Sequence, residues 1–282
     1  MNSSETGQNK IWYYFIFFTL IVAFLLGSTF FVYHNHPPSG FSTVMSRIIP
    51  YPAVKLNNQW IKVYDVFVEY KLIAPTANVA DGSTYQRIID SIIQKRAIEQ
   101  LTVLHNIPVD ESIINNKLEL IVGDPNANGW TVDQLKKRIA KPLAQAQVLD
   151  EWVSKDREIQ TSVWEKAKIA LDRLNNEDEF FSVAGDMSED RNAILGGDMG
   201  FVFISTLPDS WQDSINKLED DQFSPILESD DKLAIIQVKE RIEKDDSIEQ
   251  VHLAVVVFYK VDYEQVIREY LDRAEIKRYL NI

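Results

Sequence analysis

Hydrophobic and polar positions along this chain follow two periods, after one opening stretch that follows none. Ile11–Tyr33 reads IWYYFIFFTLIVAFLLGSTFFVY, 23 residues without a charge. A helix of that length, rising about 1.5 Å per residue, crosses an apolar layer of about 30 Å. No A-x-A-like cleavage site follows, since the exit is Tyr33-His34-Asn35-His36-Pro37-Pro38. Trp12, Tyr13, Tyr14 and Tyr33 mark the ends, where amphipathic rings favour the membrane interface. The segment reads as an uncleaved signal anchor, the chain's contact with a membrane. Glu5, Lys10 and the terminal amine precede it. Their slight positive bias puts the tail 1–10 in the cytoplasm and the bulk outside, at the plasma (inner) membrane.

Residues 34–52 read as a linker rich in Pro, Ser and His. Ala53–Tyr70 then reads as a strand, an Asn-Asn turn and a second strand that passes into a helix at Val63. A polar loop covers 74–83. Ser83-Thr84 open a helix with Ile88, Ile89, Ile92, Ile93, Ala97, Leu101 and Leu104 at helical spacing. Pro108 and Asp110 open another, with Ile113, Ile114, Leu118 and Ile121 on its apolar side. Thr131 and Gln134 have capping-box spacing, and the helix after them is expected to kink at Pro142. Two helices follow over 163–174 and 178–187, then a hinge at Gly196-Gly197 and a strand at Met199–Phe203. A short helix at Asp209–Leu218 precedes a hairpin of Pro225–Leu227 with Leu233–Val238. Val251–Tyr259 (VHLAVVVFY) is apolar on both faces, as a buried strand must be. A helix over Tyr263–Arg273 and a closing strand at Ile276–Leu280 end the chain. Short strands and helices without repeated βαβ units define an α+β protein with an antiparallel sheet late in the sequence.

Charge narrows the function. Lys and Arg number 29 against 42 Asp and Glu, a net −13. An acidic surface repels phosphate backbones, so no nucleic-acid partner is expected. It also keeps a protein soluble while apolar patches stay exposed. Cys is absent, which removes thiol chemistry. His34-x-His36 lies in the linker. Asp124-x-Asn126-x-Asn128-Gly129 imitates a calcium loop, but Leu135 stands where calcium needs a bidentate Glu. There is no Walker motif and no G-x-S-x-G, and neither a metal nor a cofactor is expected.

From 163 to 242 the order of motifs is FFSVAGDMSED, GGDMGFV, LPDSWQDSINKL and QFSPILESDDKLAIIQV. It resembles the parvulin (PpiC-type) peptidyl-prolyl isomerase pattern, without gaps from Asp190 to Val238. Upstream, VKLNNQWIKVYDV and RIIDSIIQKRAIEQLTVLHNIPVDESIINNKL resemble the start of the SurA/PrsA/PpiD foldases, and YLDRAEIKRYL resembles the segment that returns to complete their chaperone module. The resemblance implies a helical module over 53–155 completed by 260–282, around an inserted parvulin-like domain at 160–259. Such a domain opens with a strand H-I-L-V. Residues 154–162, SKDREIQTS, are too polar for it, so Val251–Tyr259 is expected to take that place from the C-terminal side.

Prolyl isomerisation breaks no covalent bond. Its barrier is amide resonance, about 18–20 kcal/mol, and an enzyme need only bind the twisted amide better than the planar one. By resemblance, Val202, Leu207 and Trp211 take the apolar proline-pocket positions and Asp190 the polar position beside the amide. Ser229 takes the family's Thr/Ser place, and His252 its first histidine, facing Asp190 and Ser229 if the strand docks as expected. The second histidine falls on Ala234. Each residue also has a plainer role open to it: Leu207 and Trp211 as core, Asp190 as a loop carboxylate, His252 as a satisfied core histidine. The expected function is a membrane-anchored extracytoplasmic folding factor for unfolded or proline-containing polypeptides, with weak or no isomerisation. An active isomerase and a non-catalytic assembly scaffold are the alternatives.

Overall fold

The computed structural model describes residues 5–34, 38–73, 82–122, 130–244 and 247–280. His36 and the calcium-like loop Asp124–Gly129 lie outside them, as does nearly all of the loop read over 74–83. The described chain forms two compact units, one up to Leu101 with Ile267 onward, the other Thr102–Val266.

The first unit opens with helix α1, Glu5–His34, whose stretch Trp12–His34 is long and apolar enough to cross a membrane. From Trp12 on, most of its side chains are exposed, while Ser28 and Val32 on one face are covered. The stretch read as a linker contains a helix, α2, Gly40–Ile48, capped by the Ser39 hydroxyl accepting from the Ser42 N–H. Strands β1 (Pro52–Leu56) and β2 (Gln59–Lys62) pair antiparallel around a turn where Asn57 has φ 52°. Helices α3 (Val63–Ile73) and α4 (Gly82–Leu104) follow. The periodic residues Ile88, Ile89, Ile92, Ile93, Ala97 and Leu101 are all buried, and Tyr70 stacks on Tyr85 at 4.3 Å. The last strand of the chain, β7 (Ile276–Arg278), pairs antiparallel with β1. Asn57 fastens that return: its Nδ2 donates to Gln100 and to the Tyr270 hydroxyl, and its Oδ1 accepts from the Glu275 N–H.

The second unit begins with α5 (Glu111–Val122), α6 (Val132–Leu135) and α7 (Lys141–Lys155). The capping box at Thr131 and Gln134 is formed. Pro142 sits in the first turn of α7, and a π-helical turn at Lys136–Ala140 precedes it. The wider turn accommodates a ring that would strike the carbonyl of a regular preceding turn, so the expected kink takes this form. Residues 102–155 group with this unit, where Ile114, Ala140 and Ala144 make a small core of their own. Helices α8 (Thr161–Asn175) and α9 (Phe180–Met187) lead to strand β3 (Asp198–Phe203) and helix α10 (Asp209–Ile215). Strands β4 (Leu227–Glu228), β5 (Lys232–Lys244) and β6 (Ser247–Tyr259) complete an antiparallel sheet in the order β3-β6-β5-β4. Helix α11, Tyr263–Arg273, joins this unit to the return strand.

Alternation assigns the two faces of that sheet. Leu233, Ile235, Ala254, Val256 and Phe258 pack under α8 and α9. Ala234, Ile236, Val238, Val251, Leu253, Val255 and Val257 pack with Trp211 and Ile215 of α10. Buried on both faces, β6 is as apolar as its sequence requires.

Candidate functional site

The G-G-D-x-G turn builds one wall. Gly196 and Gly197 both have positive φ, and the Gly197 carbonyl accepts from the Val255 N–H at 2.9 Å. A Cβ on Gly197 would meet the Val255 carbonyl oxygen at 2.2 Å, so only glycine permits this approach to β6. The turn leads into β3, where Val202 lies opposite Val251. Beyond β3, Leu207 and Trp211 pack on the same sheet face as Val202. The three apolar residues read from sequence are therefore brought together. Trp211 is 4% exposed, its ring packed against the sheet. Its indole N–H finds no acceptor among the described residues.

The polar candidates divide between two ends of the sheet. Asp190 caps a short 3-10 helix at Arg191–Leu195 by accepting from the Asn192 N–H at 2.8 Å. Its other carboxylate oxygen accepts from the Tyr259 hydroxyl at 3.4 Å. Ser229 lies in the β4–β5 turn and donates to the Lys232 carbonyl at 3.1 Å. Lys232 and Tyr259 are register partners, so Ser229, Asp190 and Tyr259 gather at the same end.

His252 is elsewhere, and here the structure corrects the expected meeting with Asp190 and Ser229. It lies seven residues before Tyr259, about 24 Å along an extended strand. It also alternates onto the opposite side from Val251 and Leu253. The cause is register: Ala234 pairs with Val257, not with a residue near 252. His252 instead meets Asp198 through Nε2 at 2.7 Å and lies against Phe201 at 5.1 Å. Asp198 also accepts from the Gly200 N–H at 2.8 Å and from Lys239 at 3.4 Å. Burial alone would raise the Asp198 carboxyl. The Gly200 N–H, the His252 ring and the Lys239 ammonium outweigh it and hold the group below the usual carboxylate range.

Tyr259 is the polar residue of the site that the sequence reading missed. Burial, then the Asp190 charge and hydrogen bond, push its hydroxyl above the ordinary tyrosine value, so it remains a donor at neutral pH. The available signal was the alternation 251, 253, 255, 257, 259, which carries Tyr259 onto the face of Val257.

Comparison with known proteins follows this division. Residues 145–240 match the family described as "Rotamase: PPIC-type PPIASE domain". The chain is 31% identical to the chaperone SurA of Hydrogenovibrio crunogenus over 90 residues, 32% of this chain and 20% of that one. It is 23% identical to the chaperone SurA of Aromatoleum aromaticum over 169 residues, 57% of this chain and 35% of that one. It thus spans about a fifth to a third of the length of these relatives. The solved foldase PrsA of Lactococcus lactis aligns over 79% of this chain and 84% of its own, at 11% identity and a TM-score of 0.28. The second unit therefore contains a parvulin-type domain. Over part of its length the chain is thus similar to a parvulin-type domain and to SurA chaperones.

Proposed function

We propose that this protein is a membrane-anchored, extracytoplasmic folding factor that binds unfolded or proline-containing segments and isomerises them weakly or not at all. The observation that carries this reading is the pair Ala234 and Val257, opposite each other on the face that holds Val202, Leu207 and Trp211. Parvulins, by the resemblance above, place a histidine at the position of Ala234. His252, the candidate for the other, bonds to Asp198 instead. The partly exposed Val202 and Leu207 at the margin of this face can still hold a proline ring by burial. They cannot donate a hydrogen bond to the rotating amide, and differential stabilisation of the twisted form falls accordingly. Leu207 and Val202 would contact the client's ring, and Asp190 with Ser229 would meet its backbone. Anchoring rests on α1, whose uncharged stretch is exposed along most of its length.

A second reading, an active isomerase, draws on one observation: the Tyr259 hydroxyl beside Asp190 supplies a polar group on the same face. The two are separated by assaying the full-length protein in detergent micelles against a proline peptide and a denatured client. Our reading expects suppression of client aggregation with isomerisation near the uncatalysed rate. A family-typical isomerisation rate that falls on Tyr259→Phe would overturn it in favour of the second.

A further inference from the structure

Helix α2 is built inside out. Its buried residues are Ser42 and Ser46, at 0% and 1% exposure. Its large apolar residues Phe41, Val44 and Ile48 are 47%, 53% and 67% exposed. At 100° per residue these three fall within one narrow stripe, with Met45 beside it. An ordinary surface helix turns such a stripe toward the core. Here the small serines lie inward, their hydroxyls returned to the helix backbone, Ser42 to Ser39 O and Ser46 to Thr43 O. Small inward residues let α2 lie close against its neighbours α1 and α3, while the apolar stripe faces away.

The position of α2 says what that stripe meets. Phe41 touches Phe31 edge to face at 5.3 Å, and Phe31 belongs to the membrane-length stretch of α1. Just after α2, the Tyr51 hydroxyl bonds Ser28 at 2.8 Å, and Tyr33 donates to the Pro52 carbonyl at 2.7 Å. Ser28 lies six residues, about 9 Å, below the helix end. The folded module is thus held against the last two turns of α1, at the level where a bilayer core gives way to headgroups. The charge pattern agrees. Among residues 11–54 of a chain with net charge −13, Arg47 is the sole Asp, Glu, Lys or Arg. It is exposed and lies at the flank of the stripe, where its stem can follow apolar surface and its guanidinium reach a headgroup phosphate.

We infer that α2 lies in the membrane interface, with Phe41, Val44 and Ile48 set among the upper acyl chains and Arg47 at the headgroups. This rests on the anchor reading of α1. The apolar surface of α1 and the stripe of α2 meet at Phe31 and Phe41, so one lipid surface covers both. The occupant is lipid because amphipathic interfacial helices bury an apolar face about 5–10 Å into the headgroup and acyl boundary, the depth at which α1 places this one. A single span leaves the attached module free to swing. A second contact beside it removes that freedom and holds the module at a fixed tilt on the bilayer.

The absence of Cys allows single labels. Full-length Val44→Cys, Ile48→Cys, Leu25→Cys and Lys168→Cys, each carrying a small fluorophore, are reconstituted in phosphatidylethanolamine and phosphatidylglycerol vesicles. Quenching is read from aqueous iodide, from headgroup-proximal nitroxide lipid and from deep nitroxide lipid. The inference expects Leu25 to be quenched by the deep probe and Lys168 by iodide. Val44 and Ile48 should be quenched by the shallow probe, with iodide quenching several-fold below that at Lys168. If Val44 and Ile48 match Lys168 while Leu25 is deep, the anchor stands and the inference falls. Shielding of both from iodide and nitroxide alike would assign the stripe to a protein partner and overturn it. Loss of deep quenching at Leu25 would remove the anchor reading, and the inference with it.

Discussion

Replacing Gly197 by Ala tests how firmly the G-G-D-x-G turn is locked to the central strand. Gly197 has φ +77°, and its new Cβ would lie 2.2 Å from the Val255 carbonyl oxygen. That oxygen is main chain in β6, between two paired strands, and cannot turn aside as a side-chain tip would. A side chain in left-handed backbone costs about 1–2 kcal/mol. Forcing a methyl group into packed surroundings adds about 1–3 kcal/mol. Moving β6 away also weakens the bond from the Val255 N–H to Gly197 O, now 2.9 Å, at about 1 kcal/mol. The expected loss is about 3–6 kcal/mol, a large part of the roughly 5–15 kcal/mol that holds a domain together. For a unit of this size the melting midpoint falls by about 2–4 °C per kcal/mol, so a drop of about 6–24 °C is expected. Gly200→Ala is the comparison. Its φ is +67° and nothing lies within 4 Å of the added carbon, so only the backbone cost of about 1–2 kcal/mol applies. Thermal melts of both full-length variants in detergent, followed by near-ultraviolet circular dichroism, measure the difference. If Gly197→Ala loses no more than Gly200→Ala, the close approach to Val255 is not what holds the turn.

Three further outcomes follow from geometry already described. Trp211→Phe removes an indole N–H that lacks an acceptor, a relief of about 1–3 kcal/mol that offsets the smaller ring; urea unfolding should find it near wild type, with Trp211→Ala about 3–5 kcal/mol less stable. Asn57→Ala loses the bonds to Gln100, Tyr270 and the Glu275 N–H and strains a turn at φ 52°, and a melt should show a loss of about 2–4 kcal/mol. Because the Asp198 carboxyl is held below its ordinary value of 3.8, its contribution is present above that pH and is lost as pH falls through the lower folded value. Unfolding measured from neutral to acid pH should therefore show the gap between wild type and Asp198→Asn narrowing toward acid; a gap that does not change with pH would refute the charged role.

Much of the fold was legible because period and capping agree. The helix at Tyr263–Arg273 and the strand, turn, strand and helix from β1 to α3 come directly from alternation, Asn57-Asn58 and a change of period at Val63. What escaped has physical reasons. Helix α2 has a regular apolar spacing at 41, 44, 45 and 48, but Pro37, Pro38 and the serines read as linker. Residues 239–250 are charged and carry no element in the sequence reading, yet β5 runs on to Lys244 and β6 starts at Ser247, a ribbon with Glu240 opposite His252 and Ile242 opposite Gln250. Two strands that pair with each other need no apolar face to form main-chain bonds. That extension displaced His252. The strand could be recognised from composition, whereas its register depends on where the β5–β6 turn falls, and a polar stretch carries no mark of that. The apolar trio Val202, Leu207 and Trp211 packs on one sheet face because its members are tied to elements close in sequence. The Asp190, Ser229 and His252 grouping depended on the register of a strand from far along the chain, and only its first two members lie at the same end of the sheet.

The pairing of β1 with β7 sets an order for synthesis. Roughly 220 residues separate Leu56 from Arg278. A ribosome adding about 5–20 residues per second needs about 10–45 s to make them. Thr102–Val266 is continuous in the chain and can close as it emerges. During that interval β1 has β2 on one side and bare main-chain groups on the other, the kind of edge that recruits stray strands. Folding of the intervening unit would shorten the effective loop between the two ends and ease its closure. A chain similar to chaperones thus keeps an unpaired edge of its own until residues 276–278 have been made.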